Sequence, residues 1–203
     1  STSQRPGMSA DARYVVFDSV ATNLVPGIAT NGRRQVYLRD RQTNLTEMIS
    51  VNIQGTAGGN SDSYAPVVSD DGQTVVFESL ATDLVFGIVD TNQASDIFLR
   101  TRATRLTERV SQFENGTQGI CGGGSGCASY EPAINADASV IAFGSTARLV
   151  IDDIDNQADI YVLQRSGTVS LQRATPTAVF STPPPSQGNP SVSGDGRFVA
   201  FAS

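Results

Sequence analysis

The chain alternates short apolar segments with polar turns, and it repeats one such arrangement four times. In each copy an apolar segment ends at Ser or Asn, a turn containing Asp follows, and a second apolar segment comes after the turn. The four turn aspartates, Asp11, Asp71, Asp137 and Asp195, recur at intervals of about 60 residues, which indicates a tandem-repeat architecture.

Each repeat predicts four short strands. In the second repeat they cover residues 65–69, 74–79, 96–101 and 106–111, which are rich in β-branched and aromatic residues and bounded by turn residues. The dipeptide Asp71-Gly72 between the first two strands is typical of a tight hairpin, because both residues accept a positive φ. No helical period of useful length is present. The pattern therefore predicts an all-β chain whose repeats are four-stranded antiparallel blades of a β-propeller.

The repeats divide the 203 residues into three complete blades and the first two strands of a fourth, all within one propeller segment, 1–203. A propeller ring usually closes with about 4–8 blades. We therefore expect the remaining blades to come from a longer chain of which this sequence is a part, or from another subunit. An open arc that is capped in another way is the third interpretation. The predicted blade bounds are about 5–52, 64–112, 130–174 and 189–203.

Long loops recur between the second and third predicted strands, at residues 20–34, 80–95 and 146–158. Loops at one place in each repeat gather on one face of a propeller, where binding is expected. Their apolar residues are candidate anchors for another protein. Packing of each loop against its own blade is the alternative, and we favour it. The candidate anchors are Val25, Pro26, Phe86 and Ile88.

The repeated phrase resembles the WD-like repeat of TolB-type β-propellers. Its form is P-x-[hydrophobic]-S-x-D-G-x-x-V-[AV]-F-x-S, with Pro66, Pro132 and Pro190 as the leading proline. The segment S-L-A-T-D-L-V-F-G at 79–87 resembles bacterial extracytoplasmic members of that family with long blade loops. Asn135 departs from the pattern in the third copy. The resemblance covers nearly the whole chain and implies a propeller that serves in protein interaction, sugar handling or as an accessory domain.

Composition excludes several classes of function. The formal charge of −6 argues against a nucleic-acid partner, because binding phosphates requires a basic surface. No stretch approaches the ~18–20 apolar residues of a membrane span. Histidine is absent, which excludes Ser-His-Asp and Cys-His catalysis and histidine metal centres. We therefore predict that the chain is not an enzyme.

Two cysteines, Cys121 and Cys127, flank the glycine-rich segment Gly122-Gly123-Gly124-Ser125-Gly126 in the loop between the second and third blades. Such a segment folds back easily, so we predict a disulfide between them. Two free thiols are the alternative, and a metal pair is the least favoured, because no His or further Cys completes a zinc site. A disulfide in a surface loop favours an oxidising compartment, that is, a periplasmic, cell-surface or secreted location.

Acidic loops precede the third strand of the second and third blades. Oxygen ligands at alternating positions suit Ca²⁺, which takes 6–8 of them. The alternative, which we favour, is that these residues only form Asx-turns and hold their loops. No cofactor is certain, and Ca²⁺ is the candidate. The candidate ligands are Asp90, Asn92 and Asp96 in the second blade and Asp153, Asp155 and Asp159 in the third.

These observations predict a non-enzymatic extracytoplasmic scaffold. Its long blade loops would mediate protein–protein interaction or assembly, with a protein partner or a larger assembly on the loop face. A Ca²⁺-dependent carbohydrate-binding or carbohydrate-active propeller is the alternative function.

Overall fold

A computed structural model describes residues 2–87, 90, 92–120, 127–154, 157–175 and 188–202. Every regular element in this part of the chain is a β-strand, and no helix there has the length and apolar character that crossing a membrane requires. The strands of the first blade are β1 (Ser3–Met8), β2 (Tyr14–Ser19), β3 (Gln35–Asp40) and β4 (Leu45–Met48). Those of the second are β5 (Ser63–Val68), β6 (Thr74–Ser79), β7 (Asp96–Thr101) and β8 (Leu106–Arg109). The rest are β9 (Ser129–Ile134), β10 (Val140–Ser145), β11 (Asp159–Gln164), β12 (Ser170–Arg173), β13 (Gly188–Val192) and β14 (Val199–Ala202).

The strands form three four-stranded antiparallel sheets and one two-stranded sheet. Within each sheet the strands lie in chain order, so every connection joins neighbours. The first strands of successive blades contact one another, which places β1, β5, β9 and β13 on the inside of the arc. The prediction of an all-β partial propeller with three complete blades and half of a fourth is confirmed.

The Ser-x-Asp hairpins form as the sequence pattern predicts. In the second blade Ser69 Oγ donates to Asp71 Oδ1 at 2.6 Å, and the same carboxylate accepts the Gln73 N–H at 2.9 Å. The residue after Asp adopts a positive φ in every copy, which glycine accepts without strain. It is Gly72 and Gly196 in two copies, and Ala12 and Ala138 in the others.

Each inner strand contains a bulge that the sequence pattern does not predict. The residue before the leading proline has a φ near +50° in all four blades, and the register with the second strand shifts there. Pro6 takes the same place in the first blade as the other three prolines. The bulge lets β5 begin at Ser63, two residues before its predicted start. The residues with positive φ are Arg5, Ala65, Glu131 and Asn189.

The core lies between blades. Phe77 is fully buried and packs with Val16 and Leu38 of the first blade. Phe143, its equivalent in the third blade, packs with Val76 and Leu99 of the second. The second blade therefore buries one face against the first blade and the other against the third.

Candidate functional site

The long loops of the three blades emerge on one face of the arc. In a four-stranded meander, the connections after the second and fourth strands leave the same edge of the sheet. Backbone hydrogen bonds join these loops between neighbouring blades: the Ile53 N–H donates to the Asp83 carbonyl at 2.9 Å, and Ile120 pairs with Arg148 in both directions. This surface, formed by the connections that follow the second and fourth strands, is called the loop face below.

The candidate anchors differ in exposure. Val25 is half-buried and packs on a cluster that contains Tyr37 and Met48, whereas Pro26 is exposed. Phe86 leaves 86% of its surface exposed, beside Val85, which packs on the core between the first two blades. Ile88 lies outside the described residues.

Two exposed apolar residues of the third blade extend this set. Ile151 is 90% exposed and Ile154 is 67% exposed. Both lie in the predicted loop 146–158, but sequence reasoning did not select them as anchors. The detectable signal is an apolar residue placed among acids, in the run Ile151-Asp152-Asp153-Ile154.

In the second blade, the structure brings the two predicted acidic ligands together around an amide. Gln118 Nε2 donates to Asp90 Oδ1 at 3.1 Å and to Asp96 Oδ2 at 3.3 Å. Asp90 also accepts the backbone N–H of Asn92 at 3.0 Å, as an Asx-turn does. Asn92 points the other way, and its Nδ2 donates to the Cys127 carbonyl at 3.2 Å. A cation between the two carboxylates would have to displace the Gln118 amide.

In the third blade, Arg173, the register equivalent of Arg109 in the second blade, lies near both acids. Arg173 Nη1 lies 3.7 Å from Asp153 Oδ1 and 3.6 Å from Asp159 Oδ2. Asp153 also accepts a hydrogen bond from the Tyr161 hydroxyl, and Asp159 accepts one from Thr175. Asp155 lies outside the described residues.

A hydroxyl clasp explains why the first position of the third strand is polar in every blade. Ser50 Oγ donates to Gln35 Oε1 at 2.6 Å, and Ser111 Oγ donates to Asp96 Oδ1 at 2.7 Å. The same serine oxygens accept the backbone N–H of the next residue of the third strand. Thr175 donates to Asp159 in the third blade. This clasp joins the start of the third strand to the residue that lies two positions beyond the end of the fourth.

Burial controls the charge state of these groups. Desolvation raises the pKa of Asp96 to about 6, although Ser111 and Arg109 oppose that shift. Desolvation, followed by the hydrogen bond with Asp153, raises the pKa of Tyr161 above its ordinary value. Among the described residues, no group of three His, Cys, Asp or Glu side chains is placed to hold a metal. Calcium binding, and the carbohydrate function that depends on it, stay predictions.

A further polar group, which the sequence pattern did not indicate, lies near the inner strands. Glu78 is buried and accepts hydrogen bonds from the Tyr64 hydroxyl and from the Glu131 N–H, while the nearby Ser95 hydroxyl donates to the Ser129 carbonyl at 3.0 Å. Desolvation raises the pKa of Glu78. Glu131 Oε2 in turn accepts the Asn189 N–H at 2.7 Å. Both carboxylates therefore satisfy N–H groups of the bulges, which is a structural role.

Cys127 is buried in the core between the second and third blades. Cys121 lies outside the described residues, so the disulfide between them stays a prediction.

Solved structures share this architecture. A TolB from Acinetobacter baumannii matches with a TM-score of 0.56 and 21% identity, over 98% of this chain and 37% of that one. A protein from Agrobacterium tumefaciens described as TolB matches with a TM-score of 0.50 and 15% identity, over 84% of this chain and 49% of that one. The chain has the fold of a TolB-type β-propeller. It spans between about a third and a half of the length of these TolB structures.

The β-propeller domain of the trilobed protease of Pyrococcus furiosus matches with a TM-score of 0.46 and 10% identity, over 85% of this chain and 43% of that one. No protein-family model matches the sequence, and no curated protein sequence matches it significantly. The likeness to TolB structures therefore describes the fold, and function is argued from the side chains.

Proposed function

We propose that this TolB-type propeller is a non-enzymatic extracytoplasmic scaffold that binds another protein through its loop face. The observation that carries the proposal is the exposure of Phe86 and Ile151 on loops that are held by the blades beneath them. Large apolar side chains that are exposed on a rigid support are typical centres of protein interfaces.

The loop that carries Phe86 is anchored directly before that residue. Val85 packs against the core between the first and second blades, and Gly87 has a φ of +71°. Such a turn fixes the direction in which the intervening side chain leaves the surface. A preorganised anchor loses little conformational entropy on binding, so its apolar area contributes more fully to affinity.

The polar groups of the loops support the non-enzymatic part of the proposal. The carboxylates of Asp90, Asp96, Asp153 and Asp159 each contact donors of the same chain. A general base or nucleophile needs a reactive atom directed at a substrate, and these acids are instead engaged in holding loops. The absence of histidine from the sequence agrees with this interpretation.

The extracytoplasmic part rests on the cysteine pair and on the resemblance of the long-loop repeat to extracytoplasmic propellers. The measurement is thiol titration of the unreduced, unfolded protein from its native compartment. A disulfide leaves no reactive thiol, and two reactive thiols would remove this support.

The protein-binding part is tested with surface variants. Phe86→Ser and Ile151→Ser remove exposed apolar area from the loop face without changing the core. Leu45→Ser is the matched control, because Leu45 is 69% exposed and begins β4 at the opposite edge of its blade. We expect a partner cross-linked to the native protein to be lost from the first two variants and retained by the control. Equal retention by all three variants would overturn the proposal.

A further inference from the structure

The third blade breaks a polar pattern that the first two blades share. In the first blade, the third and fourth strands place Arg39 opposite Thr46. In the second blade, the equivalent pair is Arg100 opposite Thr107. The guanidinium donates to the threonine hydroxyl in both, at 3.1 Å and 2.9 Å. In the third blade the same cross-strand pair is Leu163 with Leu171.

In the second blade, the arginine at this position, Arg100, interacts with an acid of the preceding blade. Its positive charge interacts with Glu47 of the first blade, and Arg102 also forms an ion pair with Glu47. Glu47 therefore interacts with two arginines of the following blade across the junction between the first and second blades.

At the next junction one of these arginines is replaced. Glu108 is the equivalent of Glu47, and Arg165 is the equivalent of Arg102. Arg165 Nη2 lies 3.6 Å from Glu108 Oε2, and the side chain of Glu108 is 61% exposed. The place of the second arginine is taken by Leu163. Glu108 therefore lies at the border of an apolar surface, the floor of the cavity described next, which Leu163 and Leu171 form.

A cavity of about 420 Å³ lies at this point. Leu163, Val169 and Leu171 line it from the third blade, and Glu108 and Glu114 from the second. Val169 is 59% exposed, so the apolar floor reaches the surface.

A second cavity of about 510 Å³ adjoins the first. The two share Phe113, Glu114 and Leu171, and the second extends to Ile151 and Asp152 on the loop face. We call the two cavities together the junction groove. Its acidic residues are Glu108, Glu114 and Asp152, around an apolar lining.

We propose that the junction groove binds an extended segment of a partner protein that carries an arginine or lysine beside an aliphatic residue. The cation of that segment takes the position beside Glu108 that Arg100 holds beside Glu47, and the aliphatic side chain covers Leu163 and Leu171. This proposal rests on the proposed protein-binding function and specifies where and by what chemistry the partner docks.

Two features support an extended segment as the occupant. The groove follows residues 107–110, which include most of β8, the last strand of its sheet. A strand at a sheet edge binds extended peptides through its backbone, while side pockets select their side chains. Charge complementarity selects a basic residue, because the three acids that line the groove outnumber its two arginines, Arg109 and Arg165, and Arg109 is already paired with the buried Asp96.

The test is selection of a random twelve-residue peptide display library on the whole chain, followed by fluorescence anisotropy with the enriched peptides. We expect enriched peptides to contain Arg or Lys within two residues of Leu, Ile or Val. Glu108→Gln should weaken their binding by about fivefold, an effect that shrinks with added salt, because a surface ion pair contributes modestly.

Two matched variants test the groove directly, one by removing the site and the other by copying it into the second blade. Leu163→Arg restores the residue of the first two blades, so it should fold and should weaken binding by at least about tenfold. Arg100→Leu with Thr107→Leu copies the Leu163–Leu171 pair into the second blade and should create a second binding site at the first junction. Circular dichroism confirms that each variant is folded.

Enriched peptides without the basic–aliphatic pattern, or binding that is unaffected by Leu163→Arg, would overturn this inference. The proposed function is judged separately by Phe86→Ser and the cross-linked partner. Loss of that partner in Phe86→Ser but not in Leu163→Arg would leave the scaffold function standing and reject the groove as its site.

Discussion

Asp96 is only 4% exposed, and Nη1 of the buried Arg109 lies 3.7 Å from its Oδ2. The first blade holds Gln35 and Met48 in the same two places of the register. One repeat therefore builds its core with a charged pair and another with a neutral pair. A comparison of the two blades therefore separates the contribution of the charges to stability from the contribution of side-chain packing.

Breaking the pair at one partner should destabilise the second blade. Asp96→Gln removes the carboxylate beside Arg109 and puts a longer side chain in its place, and Arg109→Met leaves Asp96 without its cation. We expect each change to lower the free energy of unfolding by about 3 kcal/mol, measured by urea denaturation. The double variant Asp96→Gln with Arg109→Met copies the first blade and should recover most of the loss. A loss of unfolding free energy in the double variant that equals the sum of the two single losses would contradict this coupling.

The pH dependence of stability follows from the raised pKa of Asp96, which is about 6. In the unfolded chain Asp releases its proton near pH 4, whereas the folded protein keeps it until about pH 6. The unfolded state therefore binds fewer protons in this window, and the free energy of unfolding falls as pH rises. We expect Asp96 to account for a fall of about 2 kcal/mol between pH 4 and pH 7. The Gln/Met double variant is the control and should show a smaller fall over the same range.

At the scale of single elements, the sequence predicted the strands whose bounds depend on the local pattern of apolar and turn residues. The strands Thr74–Ser79 and Asp96–Thr101 have the predicted bounds, because a short continuous run of apolar residues between turn residues specifies each of them directly. The bulges before the prolines were missed, since a positive φ at Arg5 or Glu131 has no compositional signal. The clasp between Ser111 and Asp96 was also missed, because it joins residues that are distant in sequence: Asp96 begins β7, and Ser111 lies beyond the end of β8.

The hairpins between the first and second strands predict opposite effects of glycine and alanine. Ala12 has a φ of 58°, so Ala12→Gly should raise the free energy of unfolding by about 0.5–1 kcal/mol. Gly72 has a φ of 69°, and a Cβ there would approach the Tyr14 ring within 2.2 Å. We expect Gly72→Ala to cost about 2 kcal/mol or more in urea denaturation. Ala10→Gly is the control, because it adds chain entropy without relieving a positive φ, and it should not stabilise.

The acidic loops give a prediction for calcium. Binding in the second blade requires Ca²⁺ to displace Gln118 from between Asp90 and Asp96. The calcium hypothesis predicts a rise in Tm at millimolar Ca²⁺, by mass action on the folded state. Asp90→Asn should abolish the rise, and Mg²⁺ serves as the control cation. An unchanged Tm would reject the hypothesis and leave these acids with their structural role.

At the scale of the whole molecule, the blades are joined in sequence around the arc. The Asp70 N–H donates to the Ala136 carbonyl at 2.8 Å, and the Ala136 N–H donates to the Gly194 carbonyl at 3.1 Å. The Ala10 N–H donates instead to the Asp70 carboxylate at 3.2 Å. Every one of these bonds, like the two main core clusters, joins adjacent blades. Stability should therefore be the sum of blade terms and nearest-neighbour terms.

Native-state hydrogen exchange tests this nearest-neighbour coupling. Phe77→Ala removes a buried ring from the core between the first and second blades, at a cost of about 3–5 kcal/mol. We expect faster exchange in β2, β3, β6 and β7, with β10 and β11 little affected, because β10 and β11 bury their rings in a separate cluster. Phe143→Ala is the reciprocal variant and should accelerate exchange in β6, β7, β10 and β11 while β2 and β3 stay protected. If either variant raised exchange equally in all three blades, the arc would unfold as one cooperative unit and the nearest-neighbour description would be wrong.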